Sequence, residues 1–403
     1  MVGAGESGAA TSSPHPEVFI PPWWAEAAEA IARASSPPPV ALVCGPKNSG
    51  KSTFSRHLLN ILLQRYERVG YLDTDVGQPE FSPPGCLSLH LVDEINPDLK
   101  NPCIRPPERC FFYGDISSKR DPNAYLKCIF SLYDYFIKEH YDPNEIGSPG
   151  KSMLPLIINT PGWVKGTGFD LLVEMLRYIS PTQVVQIRIS VESKNLPTGT
   201  FWLDGEQKGP VDLIDIFSAR QDSLNRSVLI QKDAKVMRDR HLFDYFRQCF
   251  PSDLNIVTNK ELAHALASLP PYEVPLSRLK VMHLHCQVPS NEVFHSLNAT
   301  IVGLAVSSDG PAKSQYCIPW CVGLGIVRGI DRSKGLVYVI TPVPYSSLRK
   351  VDLLLQGYIE IPTGLLQVIP LKYVDAYPLI CLLRCCTRYQ IKIYRGEQLL
   401  PRH

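Results

Sequence analysis

Residues 45–53 read GPKNSGKST, and Gly45, Gly50, Lys51 and Ser52 satisfy every fixed position of the phosphate-loop pattern GxxxxGK[ST]. Glycines and the small Ser49 let successive backbone N–H groups turn inward around phosphate oxygens, and the helix that follows adds its positive dipole end. Lys51 is expected to reach the terminal phosphates and the Ser52 hydroxyl to ligate Mg2+, with Thr53 just behind it. The whole run Gly45, Pro46, Lys47, Asn48, Ser49, Gly50, Lys51, Ser52 and Thr53 is therefore the expected nucleotide cradle. Its context is right: the apolar run Val40–Val43 leads in and the helix-compatible stretch Lys51–Tyr66 leads out.

A second chemical stretch is YLDTDVGQPEFSPPG at 71–85. Asp73 and Asp75 close an apolar strand, where carboxylates can hold the water shell of a divalent cation or take a proton from an attacking hydroxyl. Acidic residues at a strand end also serve as plain loop polarity. Their place after a complete phosphate loop favours chemistry.

Four ordered segments, GPKNSGKST, LDTDVGQPEFSPPG at 72–85, FFYGDISSKRDPNAYL at 111–126 and NTPGW at 159–163, resemble the polynucleotide 5′-hydroxyl kinases of the Clp1 and Grc3 type. The QPEF, PPG and GDISS elements are closer to the Grc3 and NOL9 branch. The resemblance implies that Asp75 is the Walker B aspartate and the base for an RNA 5′ hydroxyl, that Asp73 supports the metal, and that Gln78 lies beside the nucleotide or the terminal ribose. It makes Thr160, Gly162 and Trp163 a clasp in which the tryptophan stacks on the RNA end, a grip that tolerates varied sequences. A core tryptophan after a buried strand is the competing reading of Trp163. In KDAKVMRDRHLFDYF at 232–246, Arg238 and Arg240 resemble the family's lid arginines, and His241 stands where a second lid arginine is expected.

From the same resemblance follow ATP as donor with Mg2+, RNA 5′ ends as acceptor with DNA as a further possibility, a nuclease partner in pre-rRNA processing, and residence in the nucleus, in the nucleolus. The rival from another class is an ATP-bound scaffold with little turnover. A GTPase switch is weaker, because Asn259, Lys260 and Glu261 precede Leu262 and lack the guanine-reading aspartate. Family members carry a large N-terminal β domain, and only about 40 residues precede the loop here, as expected of a plant-type short form. The segment 114–125 matches the family without a chemical role of its own.

These residues need a scaffold, and the apolar pattern supplies one. Strands are expected at Val40–Val43, Val69–Leu72, Leu156–Asn159, Val184–Ile189 and Val228–Ile230, and helices at Lys51–Tyr66, Ala124–Glu139, Phe169–Ile179, Ala234–Phe250 and Lys260–Leu269. Such alternation predicts an α/β fold, a P-loop core whose mainly parallel sheet is flanked by helices, with ligands at the carboxyl ends of the strands. After about residue 273 short runs (Val281–Val288, Ile301–Val306, Cys321–Val327, Leu336–Ile340, Gln390–Tyr394) predict a smaller β-rich C-terminal domain. The expected division is 1–38 low-complexity, 39–272 P-loop kinase and 273–403 β-rich. Within the first segment, Trp23 and Trp24 open a short helix that packs on the core.

Across 403 residues, 44% apolar and 20% charged content is that of a globular protein, and a net charge of +2 carries no global signature of polyanion binding. Any nucleic acid must be gripped locally. No run of 18 apolar residues is present, which excludes an apolar membrane span on pattern. Cys317 with Cys321, and Cys381 with Cys385 and Cys386, have fragments of metal-ligand spacing but no second knuckle, so buried thiols are expected.

Overall fold

The computed structural model describes residues 18–34, 36–96, 98–99, 103–141, 153–203, 211–219, 233–307 and 319–366. Its first sheet contains β1 (Val40–Cys44), β2 (Val69–Asp73), β3 (Cys86–Val92), β4 (Arg109–Phe112), β5 (Leu156–Asn159), β6 (Gln183–Arg188) and β7 (Asp212–Phe217). The strand order is β4-β3-β2-β5-β1-β6-β7. β1 lies between β5 and β6, and the pairings from β2 through to β7 are parallel, whereas β3 and β4 add antiparallel at one edge.

The strands other than the edge strand β7 are largely buried on both faces, and side chains alternate between two cores as a period of two requires. Val40, Leu42 and Cys44 of β1, with Leu156 and Ile158 of β5, face a core that α3 (Pro122–Phe136) and α4 (Thr167–Ile179) complete. Ala41, Val43 and Ile157 face the opposite core, which α1 (Pro22–Arg33) and α2 (Lys51–Leu62) close. α3 begins at Pro122 with Asp121 capping the Ala124 N–H at 2.9 Å, a proline-at-N1 start set by local sequence. α2 stops at Leu62, short of the expected Tyr66, in a turn at 63–65.

The second sheet has the order β8-β12-β11-β10-β13-β9, built from β8 (Tyr272–Pro275), β9 (Lys280–His283), β10 (Thr300–Val306), β11 (Trp320–Asp331), β12 (Leu336–Ile340) and β13 (Leu353–Gln356). All its pairings are antiparallel except β13 with β9. The expected α/β core with a β-rich C-terminal part is therefore what the chain forms. The expected strand at Val281–Val288 is confined to β9, and the runs Val228–Ile230 and Gln390–Tyr394 lie outside the described residues.

The two parts share a core. α5 (Ala234–Arg247) and α6 (Asn259–Ser268) contribute Leu242, Phe243, Phe246, Leu262 and Leu266 to a cluster that also holds Cys86, Cys110 and Phe112 of the first sheet and Ile301, Leu324 and Ile340 of the second. Arg109 of β4 lies with its guanidinium 4.2 Å from the Tyr135 ring centroid and 3.5 Å from that of Trp320, so a cation with an aromatic face on each side joins the sheets. Cys321 is buried in this shared core and its thiol meets the Gly323 carbonyl at 3.2 Å, while Cys317, Cys381, Cys385 and Cys386 lie outside the described residues. Among the described residues no helix is long and apolar enough to cross a membrane.

Candidate active site

The loop leaves β1 at the carboxyl edge of the sheet. Gly45 has φ 142°, and a Cβ there would lie 2.3 Å from the Ile187 carbonyl oxygen of β6, so neither conformation nor space admits a side chain. Gly50 has φ 102°, and its missing Cβ would fall 2.6 Å from the Trp24 indole. With Asn48 also at positive φ (62°), the chain curls so that backbone amides line a concavity at the start of α2, which has no side-chain cap.

Lys51 folds over that concavity. Its Nζ donates to the carbonyls of Gly45 (3.1 Å) and Pro46 (2.8 Å). Burial lowers its ammonium to about 8, and the charge of Asp75 pulls the other way. Ser49 is buried, and its hydroxyl has no partner among the described residues. A buried orphan hydroxyl inside a ring of amides is what a phosphate oxygen would satisfy. Ser52 and Thr53 are half-buried on the first turn of α2, and Lys47 and Asn48 are exposed at the rim.

The acidic strand tip stands two strands away from the loop, across β5. Asp73 pairs in register with Asn159, whose amide donates to Asp73 Oδ1 at 3.3 Å. The Asp75 N–H donates to the same oxygen at 3.2 Å, and the Glu80 N–H to the other. Desolvation pushes the Asp73 carboxyl up to about 8, opposed by the Glu80 contact. A divalent cation nearby would hold it ionised. Asp75 is half-buried in the following turn, its Oδ1 accepting from the N–H groups of Gly77 (2.9 Å) and Gln78 (3.0 Å). Oδ2 makes no hydrogen bond among the described residues. Gln78 is exposed beside it.

Residues 160–163 touch the loop directly. A Cβ on Gly162 would sit 2.5 Å from both N and Cα of Lys47, so only glycine lets this segment rest on the loop backbone. Thr160 is buried, and its hydroxyl donates to the Val43 carbonyl at 2.8 Å. That proton ties the segment to β1. Trp163 is half-buried: its indole covers Gly168 at the start of α4 and meets Tyr125 edge-on, centroids 5.3 Å apart.

α5 carries the two expected lid arginines. Arg240 is exposed and faces Asp244 one turn on at 3.7 Å, and Arg238 is half-buried. Among the described residues no hydrogen bond or ion pair links either to the loop or to Asp75. His241 is buried, and burial together with Arg240 and Arg56 lowers its imidazole to about 4. It is therefore neutral near pH 7 and does not substitute for a lid cation.

Sequence reasoning missed the support behind the acidic tip. Glu80 forms a buried ion pair with Arg56 of α2 at 2.8 Å, so the turn after Asp75 is clamped to the helix that starts at the phosphate loop. Nothing in the spacing of Arg56 and Glu80 announces the pair. It also missed Tyr125, whose hydroxyl donates to the Thr74 carbonyl at 2.6 Å between the two aspartates. The donor set fits a nucleoside triphosphate: amides, an ammonium and an orphan hydroxyl face inward at one end and carboxylates at the other. Among the described residues no group of three or more His, Cys, Asp or Glu side chains could hold a metal ion alone. Ser52 and Asp73 supply hard oxygens of the kind Mg2+ takes alongside phosphates and water.

The family model described as mRNA cleavage and polyadenylation factor CLP1 P-loop matches residues 45–200, and that of the NOL9-like C-terminal domain matches 267–362. Polynucleotide 5′-hydroxyl-kinase NOL9 of Arabidopsis thaliana is 58% identical over 352 residues, covering 87% of this chain and 93% of that protein. The Homo sapiens protein of the same name is 34% identical over 379 residues, covering 80% of this chain and 49% of that protein, so the chain spans about half the length of this relative. Among solved structures, the wild-type Clp1p–Pcf11p complex contains a chain that superposes with a TM-score of 0.59 at 14% identity, covering 84% of this chain and 79% of that one. That likeness establishes the fold.

Proposed function

The chain belongs to the NOL9 and Grc3 family of polynucleotide 5′-hydroxyl kinases, and on that premise we propose that it moves the γ-phosphoryl group of ATP onto the 5′ hydroxyl of RNA. The single observation that carries the reading is the seat of Gly162 on Lys47: the segment ending in Trp163 and the loop that holds phosphates are in backbone contact. Donor and acceptor sites are thus one site.

In the transfer a bond forms between the 5′ oxygen and the γ phosphorus while the bond from that phosphorus to the bridging oxygen of ADP breaks. Asp75 takes the hydroxyl proton through its unoccupied oxygen, held in aim by the Gly77 and Gln78 amides. Lys51 exchanges its two loop carbonyls for phosphate oxygens, and the loop amides neutralise negative charge without reorganising. Mg2+ would supply positive charge against the negative charge that develops in the transfer. Ser52 and Asp73 would hold it. Trp163 places the terminal nucleotide by stacking on it, and Gln78 borders the nucleotide or the terminal ribose. Arg238 and Arg240 are the cations to cover the γ phosphate, which requires the Arg240 side chain to leave Asp244.

A place in pre-rRNA processing beside a nuclease, and residence in the nucleolus, belong to the same proposal and rest on kinship with the NOL9 branch. The scaffold reading is disfavoured by Asp75, whose second carboxylate oxygen makes no hydrogen bond among the described residues, and by the half-buried Trp163 beside the loop, neither of which nucleotide storage requires. The test is transfer of the γ label from ATP to matched oligoribonucleotides with and without a 5′ phosphate. Only the 5′-hydroxyl form is expected to become labelled, and Lys51→Ala should label neither. ATP binding without labelling of either would overturn the proposal in favour of a scaffold.

A further inference from the structure

The second sheet reaches the acceptor side of the site through a continuous series of side chains. His285, in the loop after β9, shares a hydrogen bond with the Tyr113 carbonyl through Nε2 at 2.7 Å, and its ring lies 4.8 Å from that of Tyr113. Tyr113 meets Tyr125 edge-on at 5.9 Å, and Tyr125 meets Trp163 edge-on at 5.3 Å. Tyr125 is fully buried, and its hydroxyl is the one on the Thr74 carbonyl. One ring therefore touches both the stacking tryptophan and the strand tip between Asp73 and Asp75.

A parallel backbone contact reinforces the series. The Tyr358 N–H donates to the Gly114 carbonyl, and Gly357 packs so closely on Gly114 that its Cβ would lie 2.3 Å from that oxygen. Gly114 opens the segment that continues to Ile116, whose carbonyl would be 3.1 Å from a Cβ on Gly77 in the Asp75 turn. The same segment is stiffened by Arg120, which pairs with Asp115 at 2.5 Å and covers the Tyr358 ring at 4.3 Å. Both acceptor elements, the Trp163 face and the Asp75 turn, thus rest on residues that the C-terminal sheet holds.

We propose that the C-terminal β domain positions the RNA-accepting half of the site, with Tyr113 and Tyr125 as the positioning residues that transmit its hold to Trp163 and Asp75. The donor half has a separate support in α1 and β6, where Trp24 and the Ile187 carbonyl brace Gly50 and Gly45. Acceptor and donor parameters should therefore separate. This inference rests on the proposed kinase activity.

The test is a double-mutant cycle in the full chain with His285→Ala, Trp163→Ala and both together, and Tyr125→Phe alongside, reading KM for a 5′-hydroxyl oligoribonucleotide, KM for ATP, and thermal midpoint. His285→Ala and Tyr125→Phe are each expected to raise the oligoribonucleotide KM about tenfold, the worth of one hydrogen bond, with the ATP KM within about twofold. With Trp163 already removed, His285→Ala should add less than half of its single effect. Full additivity in that cycle, or equal rises in both KM values with a lowered midpoint, would overturn the positioning role and leave a structural one. Wild-type protein that labels no RNA would instead defeat the kinase reading, and unchanged anisotropy-measured RNA binding in Tyr125→Phe would then defeat this inference separately.

Discussion

Gly162 is the residue on which the geometry of the site turns, because a methyl group there would meet backbone rather than a movable side chain. Gly162→Ala is expected to push the segment off the loop and cost about 1–3 kcal/mol of stability, the usual penalty of overpacking, with weakened nucleotide binding as its distinguishing sign. Isothermal titration with ATP beside a urea melt checks both. Trp163→Ala should behave differently. Losing one stacked aromatic is worth about 1–3 kcal/mol of RNA binding, roughly a 5- to 150-fold loss of affinity, while ATP affinity stays near wild type. Equal loss of both ligands would make Trp163 a core residue. At this scale the sequence was most legible where function runs along consecutive residues: the loop of 45–53 is a local pattern, so its glycines and Lys51 could be named from spacing. Arg56, Glu80 and Tyr125 act across 24 residues or more of chain, as pairs that no spacing rule encodes. Thr160 shows the converse, a motif residue whose buried proton serves β1.

At the scale of elements, α1 is more than a lead-in. Trp24 meets Phe54 edge-on at 5.5 Å, lies against Gly50, and donates its indole N–H to the Phe217 carbonyl at 2.8 Å; the Trp23 indole reaches the same carbonyl at 3.0 Å. Trp24→Ala should cost about 3–5 kcal/mol as a large-to-small core change, lowering the denaturant midpoint. A change below about 1 kcal/mol would show that α1 is not part of the core. The two-tryptophan start was readable as a packed helix from Ala27 and Ile31, which are buried with Ala28 and Ala32, although Ala30, expected on the same side, is exposed. The antiparallel edge was not. Cys86–Val92 alternates as a strand should, yet its polar members Ser88 and His90 are buried together with Ser82 in a hydrogen-bonded cluster, which breaks the inward-apolar, outward-polar contrast. β7 was hidden similarly, because DLIDIF at the sheet edge mixes acid and apolar residues on both faces.

At the scale of the whole molecule, burial of imidazoles makes stability depend on pH. Desolvation holds His90 down to about 3 and His241 to about 4, against the ordinary 6.5. The unfolded chain therefore binds these protons from about pH 6.5 downward while the folded chain refuses them, so stability is full above 6.5 and is lost progressively as pH falls toward 4. Asp73, whose carboxyl burial lifts to about 8, binds its proton more readily in the folded chain and offsets part of this decline, so the histidine contribution is read from the difference between His90→Gln and wild type in urea midpoints measured between pH 7.5 and 4.5. A difference that stays constant across the range would contradict the buried neutral state. The α/β core followed by a β-rich C-terminal part was legible in outline from the change of apolar pattern. The shared core was not, because α5 and α6 bury their apolar sides among residues of both sheets, and amphipathicity reports that a face is covered without naming what covers it.

The proposed kinase uses the phosphate cradle and the acidic strand tip as one reaction centre. Its most direct test is single-turnover transfer from γ-labelled ATP to a 5′-hydroxyl oligoribonucleotide, comparing wild type with Asp75→Asn under saturating donor. A general base contributes about 10²–10⁴-fold, so Asp75→Asn should slow transfer by that order while binding ATP as wild type does. Transfer by Asp75→Asn at the wild-type rate would contradict the account.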